Sequence, residues 1–213
     1  VQRRIVESSI KGMKLSGVGL EGKAKENFNT NKIRLSELST QFSNNVLDAT
    51  KAFELIIKDK TEMEGMPPSA MALCAQMAVA AGHEDATPEE GPWKLGLDMP
   101  SYLPAMQHLK SSRIREKLYR AFVTRAGSEN EPLIAEILKL RKEQAEILGY
   151  KSHAEVSLER KMAENVPAVS ALTEELRDKA LPAAQMELEK LTAYAKNHGF
   201  EGEKLKLWDT TYW

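Results

Sequence analysis

Trp93-Lys-Leu-Gly-Leu-Asp-Met-Pro-Ser-Tyr-Leu-Pro104 changes its period midway, and that change sets the reading of the fold. Trp93, Leu95 and Leu97 alternate with Lys94, Gly96 and Asp98, which is the two-residue period of a half-buried strand. Pro100 and Pro104 then open a helix, with Ser101 or Tyr102 expected near the cap and Pro104 in the first turn, running to about residue 109. A second helix is expected over 112–126, with Ile114, Leu118, Ala121, Phe122 and Arg125 on one side and Arg113, Lys117 and Arg120 on another. Gly127-Ser128 should end it. A third, over 132–148, turns Ile134, Ile137, Leu138, Ala145 and Leu148 inward. Its acids lie early, Arg141 and Lys142 lie late, and Gly149 stops it, in the sense the helix dipole prefers.

Upstream, a short helix over 2–14 carries Ile5, Ile10 and Met13 and breaks at Ser16-Gly-Val-Gly19. A longer one over 21–48 places Phe28, Leu35, Leu38, Phe42, Val46 and Ala49 at three- and four-residue steps. Ala52-Phe-Glu-Leu-Ile-Ile-Lys58 alternates and reads as a strand. Two isolated strands in a helical chain are expected to pair with each other. Between them, 68–81 is a small-residue helix opened by prolines and closed at Gly82.

Downstream, Ser152-His-Ala-Glu155 has capping-box spacing and starts a helix to about residue 164. The longest helical pattern follows from Pro167 through Val169, Leu172, Leu176, Leu188, Leu191, Tyr194 and Ala195 to Asn197-His-Gly199. Pro182 lies inside it and predicts a kink or two abutting helices. The fold class is mainly α, a multi-helix array with one small two-stranded β element. Three segments are read: N-terminal helices over 1–50, strand-helix-strand over 51–100, and a helical segment over 101–213.

The 213 residues carry 30 Lys plus Arg against 31 Asp plus Glu. A net charge of -1 gives no general electrostatic drive toward nucleic acid or an anionic membrane. No run approaches the ~18 apolar residues that span a bilayer. The single cysteine, Cys74, cannot form an internal disulfide, which fits a reducing compartment. Val1 in place of Met, and the abrupt aromatic run Trp208-Asp-Thr-Thr-Tyr-Trp213, lead to the expectation of a piece of a longer protein.

Catalytic signatures are sparse. His83-Glu84 begins a helical zinc motif, but Asp85-Ala-Thr-Pro88 supplies no second His and its proline stops a helix. His108, His153 and His198 lack neighbouring ligands at zinc-site spacing. Met71, Cys74 and Met77 could face one way and offer sulfur to Cu(I), yet among Ala and Leu they read better as core. The basic run 110–125 with Tyr119 and Phe122 interleaved could bind nucleic acid. The competing reading is a helix whose Arg residues pair with the acidic segment 129–146, with Arg120 and Arg125 making intramolecular ion pairs or carbonyl contacts. No catalytic, cofactor-binding or metal-ligating residue is assigned.

Several collinear blocks carry a resemblance. Trp93 through Pro104, Arg113-Ile-Arg-Glu-Lys-Leu-Tyr-Arg-Ala-Phe-Val-Thr-Arg-Ala126, Ile137-Leu-Lys-Leu-Arg-Lys-Glu-Gln-Ala-Glu-Ile-Leu-Gly-Tyr150, Ser157-Leu-Glu-Arg-Lys-Met-Ala163 and Leu207-Trp-Asp-Thr-Thr-Tyr212 resemble, in order, the region upstream of the zinc motif in the oligopeptidase A and thimet oligopeptidase family of metallopeptidases. Ser16-Gly-Val-Gly-Leu20 and Leu38-Ser-Thr-Gln-Phe-Ser-Asn-Asn-Val-Leu-Asp-Ala-Thr50 extend it. The resemblance implies a two-lobed helical enzyme whose narrow channel admits short peptides. It implies Zn2+ held by residues beyond Trp213, with a Glu general base, and residues 101–213 leading to that region. This segment would supply scaffold and channel wall, would be inactive alone, and would have short peptides and the remainder of the same polypeptide as partners, with no nucleic acid and no membrane. A cytoplasmic location is expected, with an organellar matrix or stroma as the alternative. The competing function is a non-catalytic helical module that binds peptides or partner proteins.

Overall fold

A computed structural model describes residues 1–213. The order is α1 (Gln2–Leu15), α2 (Gly22–Ala52), β1 (Leu55–Ile57), a 3-10 turn (Lys60–Met63), α3 (Pro68–Ala80), β2 (Trp93–Leu95), α4 (Met99–His108), α5 (Ser112–Thr124), α6 (Gly127–Ile147), α7 (His153–Leu158) and α8 (Val166–Asn197). The chain is mainly helical, and β1 and β2 pair antiparallel with Leu55 opposite Leu95 and Ile57 opposite Trp93. Two compact units result, one of Val1–Asn44 with Ser128–Pro182 and the other of Asn45–Gly127 with Ala183–Trp213.

The second unit holds the main hydrophobic core. Trp93 and Leu95 point inward from β2, while the ammonium of Lys94 between them reaches Glu54. α3 presents Ala70, Cys74, Ala75 and Ala78 to that core, and these small side chains let a helix lie close. Met63, Met66, Met106, Leu109, Ile114 and Leu118 fill the remainder. Tyr102 stacks on Phe122 at 4.4 Å between ring centres. β2 ends earlier than the alternation predicts, because the Gly96 amide donates to Ser101 Oγ (2.9 Å) instead of continuing the ladder.

The α4 cap is also displaced from the expected position. Asp98, not Ser101 or Tyr102, accepts the Ser101 amide (3.2 Å), which leaves Pro100 in the first turn and Pro104 inside the helix. At the end of α4, Gly65 (φ +96) comes so close that a Cβ on it would sit 2.1 Å from the His108 carbonyl oxygen. Only glycine combines that conformation with that approach. α5 closes at Thr124, and left-handed Ala126 (φ 53) makes the turn, so α6 begins at Gly127 ahead of the expected Pro132.

In the first unit α2 and α6 run antiparallel, since contacts at rising numbers on one fall at decreasing numbers on the other. Gln144 donates to Phe28 O (3.4 Å), Asn31 to Glu143 (3.0 Å), Arg34 to Glu136 (2.7 and 3.0 Å), and Asn130 to Phe42 O (3.3 Å). Phe28, Leu38, Leu133 and Ala145 are buried along this seam. Ile134 and Leu138, expected inside, are 46% and 59% exposed. They sit at the open edge of the seam, whose inward positions belong to Leu133, Ile137, Leu140 and Ala145.

α7 is shorter than expected, and its cap differs from a closed capping box. Ser152 Oγ accepts from the Glu155 amide (3.3 Å), while the Glu155 carboxylate accepts from the Lys151 amide (2.8 Å) instead of that of Ser152. Asn165 then caps α8 through the Ala168 amide (2.9 Å). α8 runs continuously through Pro182. Its surroundings there are open, so the carbonyl left without the proline's amide can turn to water.

Candidate functional site

The densest polar arrangement in the chain is one that sequence periodicity did not single out. Arg115 lies on the inner side of α5, and its side chain and that of Asp209 are each only 2% exposed. Arg115 Nη2 donates to Asp209 Oδ1 at 2.7 Å, Nε to Trp208 O at 3.1 Å, and Nη1 to the carbonyls of Leu109 and Lys110. One guanidinium therefore closes the carbonyl end of α4 and fastens the 206–213 segment to α5. The carboxylate is shared: Asp209 also accepts from Ser112 Oγ (2.8 Å) and the Lys206 amide (3.2 Å). Tyr212 lies with its ring 4.1 Å from the guanidinium carbon, and Trp208 Nε1 donates to Ser112 Oγ (3.2 Å). Two buried charges with this many partners satisfy one another, and this makes the hub an organising contact with no atom left to act on a substrate.

The basic run around it is partnered within its own unit. Arg113 pairs with Glu62, Lys110 with Glu64, and Arg120 with Glu116 at 2.7 Å. The expected pairing with 129–146 is corrected accordingly. Glu136 of that segment instead binds Arg34, while Glu143 and Glu146 lie within 4.0 Å and 3.8 Å of Lys139 and Lys142. Arg120 also lies over Trp208, and Arg125 donates to Phe122 O (2.6 Å) and covers the Phe122 ring, as the contacts expected of both residues require. Lys110, Arg113, Arg115, Arg120 and Arg125 are thus engaged within the unit, while Lys117 is exposed.

The sulfur stripe is packing. Cys74 is fully buried, and burial pushes its thiol up to about 11. A thiol so disfavoured as thiolate is neither a ready nucleophile nor a good metal ligand. His198 stacks on Tyr194 at 4.0 Å, and His153, held below the ordinary imidazole range by burial and then by Arg141 and Lys161, stands at the start of α7. A structural or catalytic zinc needs three or four converging donors, and no three His, Cys, Asp or Glu side chains converge in this chain. The residues present do not fit zinc.

Two surface features remain. A groove of ≈ 350 Å³ opens between α2 and α6, floored by Phe42, Ile134, Ile137 and Leu138, with Arg141 at its edge. Every residue from 167 to 190 on α8 is exposed. No helix is long and apolar enough to cross a membrane.

Residues 105–213, just over half of the chain, match the model of peptidase family M3. The chain belongs to peptidase family M3. Within that family it is 49% identical over 216 residues to the organellar oligopeptidase A, chloroplastic/mitochondrial, of Arabidopsis thaliana, a match that takes in 100% of this chain and 27% of the relative. It is 49% identical to the probable cytosolic oligopeptidase A of the same plant and 38% identical to oligopeptidase A of Escherichia coli, covering 100% of this chain and 31% of each relative. The chain thus spans about a third or less of the length of these M3 relatives. The Arg115–Asp209 hub and the family match fall in the same stretch of sequence.

Proposed function

We propose that residues 1–213 are the supporting part of a zinc-dependent oligopeptidase that hydrolyses short peptides, providing scaffold and a section of channel wall. The observation that carries this is the full-length match of the chain to proteins named oligopeptidase A, with residues 105–213 in the family M3 model. In this reading the metal and the base belong to polypeptide outside the chain, toward which residues 101–213 lead. Zinc held there would supply Lewis-acid activation of water, with a Glu as the general base. The contribution of residues 1–213 is to supply helical framework, with the hub of Arg115 fixing the course of the 206–213 segment against α5. Short peptides and the remainder of the same polypeptide are the partners. The location is cytoplasmic, or the organellar matrix or stroma; the Arabidopsis relatives are named cytosolic and chloroplastic/mitochondrial.

The coding sequence downstream of Trp213 tests this directly. A His-Glu-x-x-His motif within the next few hundred codons is expected, since that spacing places two imidazoles on one helical face beside a carboxylate. An open reading frame that closes without one overturns the proposal in favour of a non-catalytic module.

A further inference from the structure

An isolated helix of ~12–15 residues is marginal in water, and α1 has 14. Val6, Ser8, Ser9 and Gly12 are weak helix formers, no side chain caps its start, and its first turn holds Arg3 and Arg4 where the helix dipole favours acids. Packing does not compensate, since no residue of α1 is buried and residues 1–10 are all exposed. What holds the helix is polar and confined to one place. Lys11 Nζ lies 2.8 Å from the Glu159 carboxylate and donates to the Glu159 carbonyl at 3.1 Å, while Arg160 Nη2 donates to Gly12 O at 3.0 Å. The Tyr150 phenol hydrogen-bonds the same carboxylate, and Glu7 and Lys14 line the same recess. Beyond this latch the chain is anchored, because Gly17 (φ +84) is buried and a Cβ on it would lie 2.7 Å from the Phe28 ring.

We propose that α1 is a conditional helix, a strap that is folded while the Lys11–Glu159 latch is closed and melts back to its anchor at Gly17 when the latch opens. The release signal is electrostatic. The latch faces solvent, so ionic strength screens it. Its carboxylate stays charged at neutral pH, because the Lys11 hydrogen bond, and then the Tyr150 phenol, hold Glu159 below the usual carboxylate range. Acid therefore opens the latch only as pH falls through that depressed value. Opening also uncovers Tyr150, which lines the recess against Ile10 and Lys11. This device is independent of peptide hydrolysis.

Hydrogen exchange of the full-length protein, read by mass spectrometry, distinguishes α1 from its neighbours without altering either. Amides of α1 are expected to exchange about tenfold faster than those around Leu38 in α2, as locally opening segments do. Raising NaCl from ~50 to ~500 mM should speed α1 by about threefold more and leave α2 unchanged. Glu159→Gln should give the same acceleration at low salt, and Lys11→Glu with Glu159→Lys should recover the original rate. Exchange of α1 that ignores both salt and Glu159→Gln overturns the proposal. If it is as slow as α2, something other than the latch holds the helix; if it is complete, no closed state exists. A charge swap that exchanges as fast as Glu159→Gln alone also overturns it.

Discussion

Arg115 shows how much a single position can depend on distant sequence. Its place in an Arg-rich helix gave it the same standing as Arg113 and Arg120, and only the return of the chain at Asp209 separates it from them. Removing one member of a buried pair leaves the other uncompensated, at a cost of about 3–5 kcal/mol. Arg115→Met and Asp209→Leu should each destabilise the protein by that order in urea denaturation, and the double variant should be less damaged than the sum. Strict additivity would show that the two side chains do not act as a pair. Cys74 offers a simpler check at the same scale. With its thiol buried and pushed up to about 11, the peptide containing it should stay unmodified by a thiol reagent at pH 7.5 until the protein is unfolded. Labelling at the rate of a free thiol in the native state would contradict the packing described.

At the scale of elements, local signals located the helices and strands, and tertiary contacts moved their ends. The alternation in Trp93–Leu95 and the prolines before α3 and α4 were legible because they act within a turn or two. The cap of α4 was misplaced because Asp98 and Ser101 both satisfy the local rule, and the choice depends on Ser101 Oγ being engaged by the Gly96 amide. The burial of Ile134 and Leu138 was misread because periodicity marks an apolar stripe but not what lies opposite it. The α2–α6 seam carries a pH signature. Arg34 holds the Glu136 carboxyl below its ordinary range by hydrogen bonding, so the folded state binds its proton later than the unfolded chain. The stabilisation is present above the ordinary carboxylate pKa near 4.5 and is lost as pH falls through the depressed value. Glu136→Gln should therefore lower stability between pH 6 and 8, where the pair contributes, change little below the depressed value, and so flatten the acid limb of a stability–pH curve. An unchanged acid limb would show that the exposed Arg34–Glu136 pair is too well screened to matter.

For the whole molecule, the fold class was readable from spacing alone, whereas the function was readable only through resemblance, and the physical reason is plain. Helical arrays repeat a pattern that each segment carries within itself. A metallopeptidase site is a convergence of a few donors, and none converges here, so residue chemistry had nothing to report. The collinear blocks from Ser16 to Tyr212 carried the family identity, and those from 105 onward fall within the family M3 match. What holds these residues in place is a core around Trp93, an α2–α6 seam, and the Arg115–Asp209 hub. On this account the chain is a framework whose use is realised in a longer protein.

The most direct test is peptide hydrolysis by that full-length protein, purified with zinc and assayed by mass spectrometry on short unstructured peptides and on a folded protein. The account predicts cleavage of the short peptides, none of the folded protein, loss of activity on chelation and its return with zinc. A well-folded, zinc-supplied full-length protein that leaves every short peptide intact would contradict it.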